Sequence, residues 1–408
     1  MCAFKSAVCQ ASYIELLLAR SNACPLDIYV YYVREGVPSV TRMAFETRLF
    51  HNIRRVVNRW RTVRMNVPAE CVDGGRLEMF KSDTQLLEEL CLDLNFRQGC
   101  RSPFLADEGE SWGTIYLPFC PRLRTLVLHN IGWAPLYPKR WIPCPFIPLE
   151  ELDIRSSGLD PYEQVRLLGI SPDLVTLRFC NFRMFPSTTS PHAAMLNYPR
   201  LKDLTIPSMA PRLLAAWAPG LIGLHNLETL DMTGHAYREL ANVLRFVRPT
   251  VTTLSFTLED GDLCPDSNAT LLRRLARLAR LRELRIERAG TNAPQELFRA
   301  LCDGERRVWP DLQAVQLRSA DLRSDDEAGM GHGYITGAER AAQALLDFIF
   351  SRNAPRAIRK EESAGRTPRA RLTRVVLFGC QIDPAILAGM RVLVPVEERP
   401  GEGAWLAV

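Results

Sequence analysis

Ten times along this chain, three apolar residues stand in the spacing apolar-x-x-apolar-x-apolar. The copies are Leu87/Leu90/Leu92, Leu123/Leu126/Leu128, Leu149/Leu152/Ile154, Leu174/Leu177/Phe179 and Leu201/Leu204/Ile206. They continue as Leu227/Leu230/Met232, Val251/Leu254/Phe256, Leu281/Leu284/Ile286, Leu312/Val315/Leu317 and Leu372/Val375/Leu377, with Trp60/Val63/Met65 a degenerate copy at the front. From Leu123 to Val251 the starts lie 26, 25, 27, 26 and 24 residues apart; the step before is 36 and those after are 30, 31 and 60. The last two apolar positions are two residues apart, so a short strand turns both to one face. One such strand cannot bury that face alone, and the units must stack into a shared apolar column.

Between the strands the apolar spacing becomes helical. Residues 237–247 align Leu240, Val243, Leu244 and Val247, residues 269–280 align Leu271, Leu272, Leu275 and Leu278, and residues 294–302 and 338–350 read likewise. Pro172, Pro199, Pro249 and Pro310 each interrupt the chain shortly before a repeat begins. Strand, loop and helix in succession make a leucine-rich repeat. The expected fold is α/β: a leucine-rich-repeat solenoid, a horseshoe with the strands on its concave side and a helical and strand cap at its N-terminus. Leu372-Thr-Arg-Val-Val-Leu-Phe-Gly-Cys-Gln-Ile382 puts Cys380 where such repeats use Asn or Cys to satisfy loop backbone groups. Most other units lack that residue, so the repeats are expected to be irregular, of the ribonuclease-inhibitor-like (RNI-like) kind.

The departures from the period divide the chain. Residues 1–84 form the expected N-terminal cap, with a helix over residues 43–60 and Arg48, Arg54, Arg55 and Arg59 on its polar outer face. Repeats occupy residues 85–318, interrupted by an insertion at 97–117 rich in Gly, Ser and acidic residues. Residues 319–371 are expected to hold an inserted helix and a mobile charged loop. Residues 372–408 hold the last repeat and a C-terminal cap, with residues 404–408 folded back over it.

Composition excludes several classes. The net charge of +5 is small for 408 residues, and acidic residues interleave with the arginines, so a nucleic-acid partner is not expected. The 12 cysteines form no CxxC pair and no regular spacing, which supports neither a zinc site nor a disulfide framework and suits a reducing, cytoplasmic or nuclear compartment. No apolar run is long enough for a membrane span. There is no GxSxG, no GxxxxGK[ST] and no HExxH, and the glycines at 329–333 lie in a polar loop, so neither an enzyme nor a cofactor is expected. Asp153 and Asp231 occupy the middle, outward position of their strands; they read as solvated recognition residues in preference to an acid/base pair.

One stretch carries a family resemblance. Ile14-Glu-Leu-Leu-Leu-Ala-Arg-Ser-Asn-Ala-Cys-Pro-Leu-Asp-Ile28 resembles a segment common in fungal, especially basidiomycete, F-box proteins, where an amphipathic helix ends in Arg-Ser before a Pro-Leu-Asp strand. Asn58-Arg-Trp-Arg-Thr-Val-Arg-Met65 resembles the same family's next landmark, and Leu-Glu-Glu-Leu repeats follow at Leu87 and Leu149. The F-box itself, opening on Leu-Pro-x-Glu, would precede the Ile14 helix and is not visible there. The resemblance implies the substrate-recognition part of a ubiquitin-ligase receptor, with the SCF adaptor as a partner only if an F-box precedes this chain. The alternative is a repeat scaffold or sensor with no ligase link.

Either way the expected activity is binding of a target protein or peptide on the concave sheet. The residues flanking the core positions point outward there: Glu151, Asp153, Arg155, Thr176, Arg178, Asp203, Thr205, Thr229, Asp231 and Thr253.

Overall fold

The apolar triplets become strands, and the central residue of each reaches the core. Leu90, Leu126, Leu152, Leu204, Leu230, Leu254, Leu284, Val315 and Val375 are all wholly buried. The computed structural model describes residues 7–31, 48–68, 83–95, 120–129, 148–155, 171–180, 198–206, 224–233, 240, 243–244, 247, 250–257, 274–275, 277–287, 293–302, 309–318, 321–322, 337–363 and 369–399. It divides into two units, Met1–Tyr198 and Pro199–Val408.

The first unit opens with α1 (Ala7–Arg20) and β1 (Leu26–Tyr31), then a helical stretch at residues 48–55 and β2 (Trp60–Pro68). β3 (Glu89–Asn95), β4 (Thr125–His129), β5 (Glu151–Arg155) and β6 (Thr176–Cys180) follow. Each strand lies parallel to the one before it in sequence. The register sets like residue beside like: Val63, Leu90, Leu126, Leu152 and Leu177 form one continuous row.

A backbone staple repeats with the triplets. The carbonyl of Glu88 accepts from the N–H groups of Arg124 (2.8 Å) and Thr125 (3.1 Å), and that of Arg124 accepts from Glu150 (2.8 Å) and Glu151 (2.9 Å). The same double acceptance recurs from Glu150 to Val175 and Thr176, and in the second unit from Lys202, Glu228, Thr252 and Arg282. The two variable residues between the first and second apolar positions therefore carry a fixed backbone role whatever their side chains. The third residue before seven of the triplets is also buried: Thr84, Cys120, Ser171, Tyr198, Leu224, Leu278 and Trp309. Its carbonyl closes a turn on the first apolar residue, as from Leu123 N to Cys120 O at 3.1 Å and from Leu312 N to Trp309 O at 3.2 Å. The repeat is thus one position longer than the triplet alone.

The N-terminal region differs in detail from expectation. The helix ahead of β2 ends by residue 55, and Val57–Arg59 is a 3-10 turn. Trp60 must enter the core as the first residue of β2, where it is fully buried with its indole N–H on the Ile53 carbonyl at 3.2 Å. Arg48, Arg54 and Arg55 are exposed as expected. Arg59 is not part of that outer face: its guanidinium ties down the α1–β1 turn, donating to Cys24 O (3.1 Å), Leu18 O (3.4 Å) and Ser21 Oγ (2.6 Å).

The second unit contains β7 (Asp203–Thr205), β8 (Thr229–Met232), β9 (Thr253–Thr257), β10 (Glu283–Glu287), α2 (Ala293–Cys302), β11 (Ala314–Arg318), β12 (Asp321–Leu322), α3 (Gly337–Asn353), α4 (Pro355–Ser363), β13 (Arg374–Phe378), β14 (Gln381–Ile382), α5 (Pro384–Leu393) and β15 (Val396–Arg399). Its parallel sheet runs β7-β8-β9-β10-β11-β13-β15, and β12 pairs with β14 apart from it. β15 adds a strand beyond the last triplet.

The charged tract after residue 352, expected as a loop, is helical over Pro355–Ser363. The helix before it is part of the core: Leu345, Phe348 and Ile349 of α3 are wholly buried, and Phe348 meets Phe298 of α2 with ring centroids 5.6 Å apart. At its end Asn353 clips two segments together, donating to Leu372 O (2.8 Å) and Leu393 O (2.9 Å) and accepting from Leu372 N (2.9 Å). Cys380 fills the role read from its position, its thiol donating to Leu317 O at 3.3 Å. Residues 97–117, 329–333 and 404–408, with Leu271 and Leu272, lie outside the described residues.

Candidate functional site

Alternation along each strand leaves one sheet face apolar and the other polar. In the first unit parallel pairing turns the positions of that face into rows: Arg64, Cys91, Val127, Asp153 and Arg178 in one, and Asn66, Asp93, His129 and Arg155 in the next. Glu89, Thr125, Glu151 and Thr176 form a third.

Asp153 is the hub. It is only 2% exposed, which corrects the outward, solvated position read from the sequence. The physical reason is that cations from three strands close over it. Arg155 grips the carboxylate with two hydrogen bonds (Nε to Oδ1 3.0 Å, Nη2 to Oδ2 2.8 Å). Nη1 of Arg178 donates to Glu151 at 2.9 Å and lies 3.8 Å from Asp153 Oδ2. His129 bridges two carboxylates, with Nε2 3.7 Å from Asp153 Oδ1 and Nδ1 3.8 Å from Asp93 Oδ2. These separations exceed hydrogen-bond length, so the imidazole acts by charge and not as a directed donor.

The electrostatics follow. Burial disfavours ionised Asp153, but His129 and Arg155 overcome it and hold the carboxyl below its ordinary range. Burial also disfavours the charged imidazole; Asp153 and Asp93 reverse that and push His129 up to about 9. Burial, then Glu89, pushes the Cys91 thiol up to about 12, so it stays protonated and donates to Glu89 at 3.2 Å. A protonated thiol is a poor nucleophile. Arg64 completes the row with an ion pair to Glu89.

The other expected site residues also occupy strands. Glu151, Thr176 and Arg178 are half-buried and Arg155 is exposed. Asp203, Thr205, Thr229, Asp231 and Thr253 lie on β7–β9 of the second unit, all half-buried. Asp231 differs from Asp153 in kind: among the described residues no arginine grips it, Thr233 N donates to its Oδ1 at 3.0 Å, and burial pushes its carboxyl above the ordinary range. The two aspartates belong to separate units and have opposite environments.

The sequence reading stopped at the central units and so missed Arg64, Glu89, Cys91, Asp93 and His129. The same alternation in β2–β4 would have found them. It also missed the second unit's later strands, where Arg318 and Arg399 both lie over the Phe378 ring (5.8 and 5.3 Å) and Arg318 pairs with Glu287 at 2.9 Å. Among the described residues no cluster of three or more His, Cys, Asp or Glu could hold a metal ion, and no helix is long and apolar enough to cross a membrane. No protein-family model matches this sequence, and comparison with curated proteins returns no match.

Proposed function

We propose that this chain is a leucine-rich-repeat protein whose polar strand face binds another protein. The observation that carries the reading is the Asp153 hub: a buried carboxylate that fixes arginines of β5 and β6 and a histidine of β4 in place on an otherwise accessible sheet face. A core needs no such device there, because the apolar residues face the other way. Charged side chains held in set positions lose less entropy on binding, and they select partners by matching charge.

On this reading the chain is the substrate-recognition part of an F-box-type ubiquitin-ligase receptor in the cytoplasm or nucleus, and it is not an enzyme. The α1–β1 segment and the Trp60 strand support it: the Arg-Ser helix end at Arg20 and Ser21 and the Pro25-Leu-Asp strand fold as helix, turn and strand. A scaffold or sensor with no ligase link uses the same face. Affinity capture from a fungal extract, read by mass spectrometry, tests both. Proteins lost when Arg64, Arg155 and Arg178 become Glu are targets of the face, and an SCF adaptor among the captured proteins marks the receptor. Identical capture by wild type and the triple variant overturns the binding-face reading.

A further inference from the structure

We propose that the polar face of β2–β6 takes an extended acidic polypeptide, its carboxylates about three residues apart, across Arg64, Arg155 and Arg178. This rests on the face being the binding surface and adds the partner's chemistry. The face is balanced in charge count but not in depth. The Arg64 side chain is 47% exposed over Glu89 at 22%, and Arg155 is 46% exposed over Asp153 at 3%. Arg178 stands level with Glu151, at 37% against 35%. Glu89 and Asp153 serve as footings, so an approaching chain meets the guanidinium groups of Arg64 and Arg155 before their carboxylates, whereas Asp93, at 32%, stands above His129 at 22%. Guanidinium offers paired N–H donors in the geometry that a carboxylate accepts.

Spacing sets the register of the ligand. Arg64 leans onto β3 through Glu89, and Arg178 leans onto β5 through Glu151 and Asp153. Those strands are two steps apart, about 10 Å at the usual separation of parallel strands. A polyproline-II-like chain rises about 9 Å in three residues and brings every third side chain to one face. Beyond Arg64, Tyr29 and Tyr31 of β1 are 53% and 64% exposed, and Tyr29 is the register partner of Arg64. They offer aromatic surface to an apolar residue beside the acids. A nucleic acid fits less well. Its unbroken phosphate charge would meet Glu89, Asp93 and Glu151 between the arginines, whereas a polypeptide can lay uncharged residues over them.

The test uses the full chain and four fluorescent probes: a Glu-Pro-Ala repeat peptide, its Gln and Lys counterparts, and a single-stranded oligonucleotide. The Glu repeat is expected to bind about tenfold more tightly than the Gln repeat at low salt and to lose that margin as salt screens it. Arg64→Gln, Arg155→Gln and Arg178→Gln together remove the preference, and Arg122→Gln, at an exposed position outside the strands, leaves it. Arg155→Lys keeps the charge over Asp153 and retains most of the preference, which separates loss of contact from loss of fold. Equal binding of the Glu and Gln repeats overturns the proposal, as does an oligonucleotide that outcompetes the Glu repeat. Preference for the Lys repeat that Glu89→Gln and Glu151→Gln abolish would keep the binding face and overturn the acidic ligand. A Glu preference that survives the triple arginine variant would overturn both.

Discussion

His129 on β4 and Asp153 on β5 meet at 3.7 Å between Nε2 and Oδ1 although they are not register partners; His129 lies opposite Arg155. The imidazole therefore reaches diagonally across the ladder, and on its other side Nδ1 reaches Asp93 of β3. One ring ties three strands.

This tie gives stability a pH dependence of known sign. The folded pKa of His129 is raised to about 9, so its contribution is complete below the unfolded value, about 6.5, and is lost as pH rises through about 9. Asp153 is shifted the other way: its contribution is present above its unfolded value, about 4, and is lost as pH falls. Urea unfolding should show an alkaline decline through pH 7–9 that His129→Gln flattens. An unchanged slope in the variant would show that the ring carries no such linkage.

Asp231 predicts the reverse of Asp153. Its carboxyl is raised by burial, so ionisation works against the fold and stability falls as pH climbs through the carboxylate range. Asp231→Asn keeps an oxygen for Thr233 N and removes the charge; at neutral pH it should match or exceed wild type, within about 1 kcal/mol. Asp153→Asn should cost about 1–3 kcal/mol, the upper part reduced because Arg155 is exposed. Equal effects of the two variants in chemical denaturation would refute the distinction.

The leucine positions were legible because a buried strand face leaves a spacing of two in the sequence. The rows of the polar face were legible only in part. Which polar residue is a hub depends on neighbours about 25 residues away in sequence, and nothing local to Asp153 says that His129 and Arg178 close over it. The fourth core position escaped because Thr84, Cys120, Ser171 and Trp309 share burial but no chemical type. The helix at Pro355–Ser363 escaped because its charge masks a helical period.

Asn353 should be a sensitive point in the second unit. Asn353→Leu strands the N–H of Leu372 and removes the donors to two carbonyls, at a cost of about 2–4 kcal/mol in urea unfolding. Deleting residues 337–363 should abolish soluble expression, since it removes Phe348 from the buried Phe298 of α2. A soluble, cooperatively folding deletion would mean that α3 is dispensable.

Leu254 tests the stacking itself. It is wholly buried on β9, with Leu230 and Leu284 as register partners. Leu254→Ala should cost about 2–5 kcal/mol through lost burial and a residual cavity. Repeats support each other through neighbours, so hydrogen exchange should quicken in β8–β10 before it does at β15. Uniform quickening along the chain would contradict a repeat stack.

Recognition of a protein through the polar strand face is tested most directly by photo-crosslinking. A photoreactive residue replaces Thr125 or Val127, half-buried on the polar face of β4, or Arg54 or Arg122, exposed elsewhere on the first unit. Irradiation of the four proteins in extract should give a discrete crosslinked partner from Thr125 and Val127, and none from Arg54 and Arg122. A partner captured from Arg54 or Arg122 but not from the strand positions would place recognition on another surface and contradict the account.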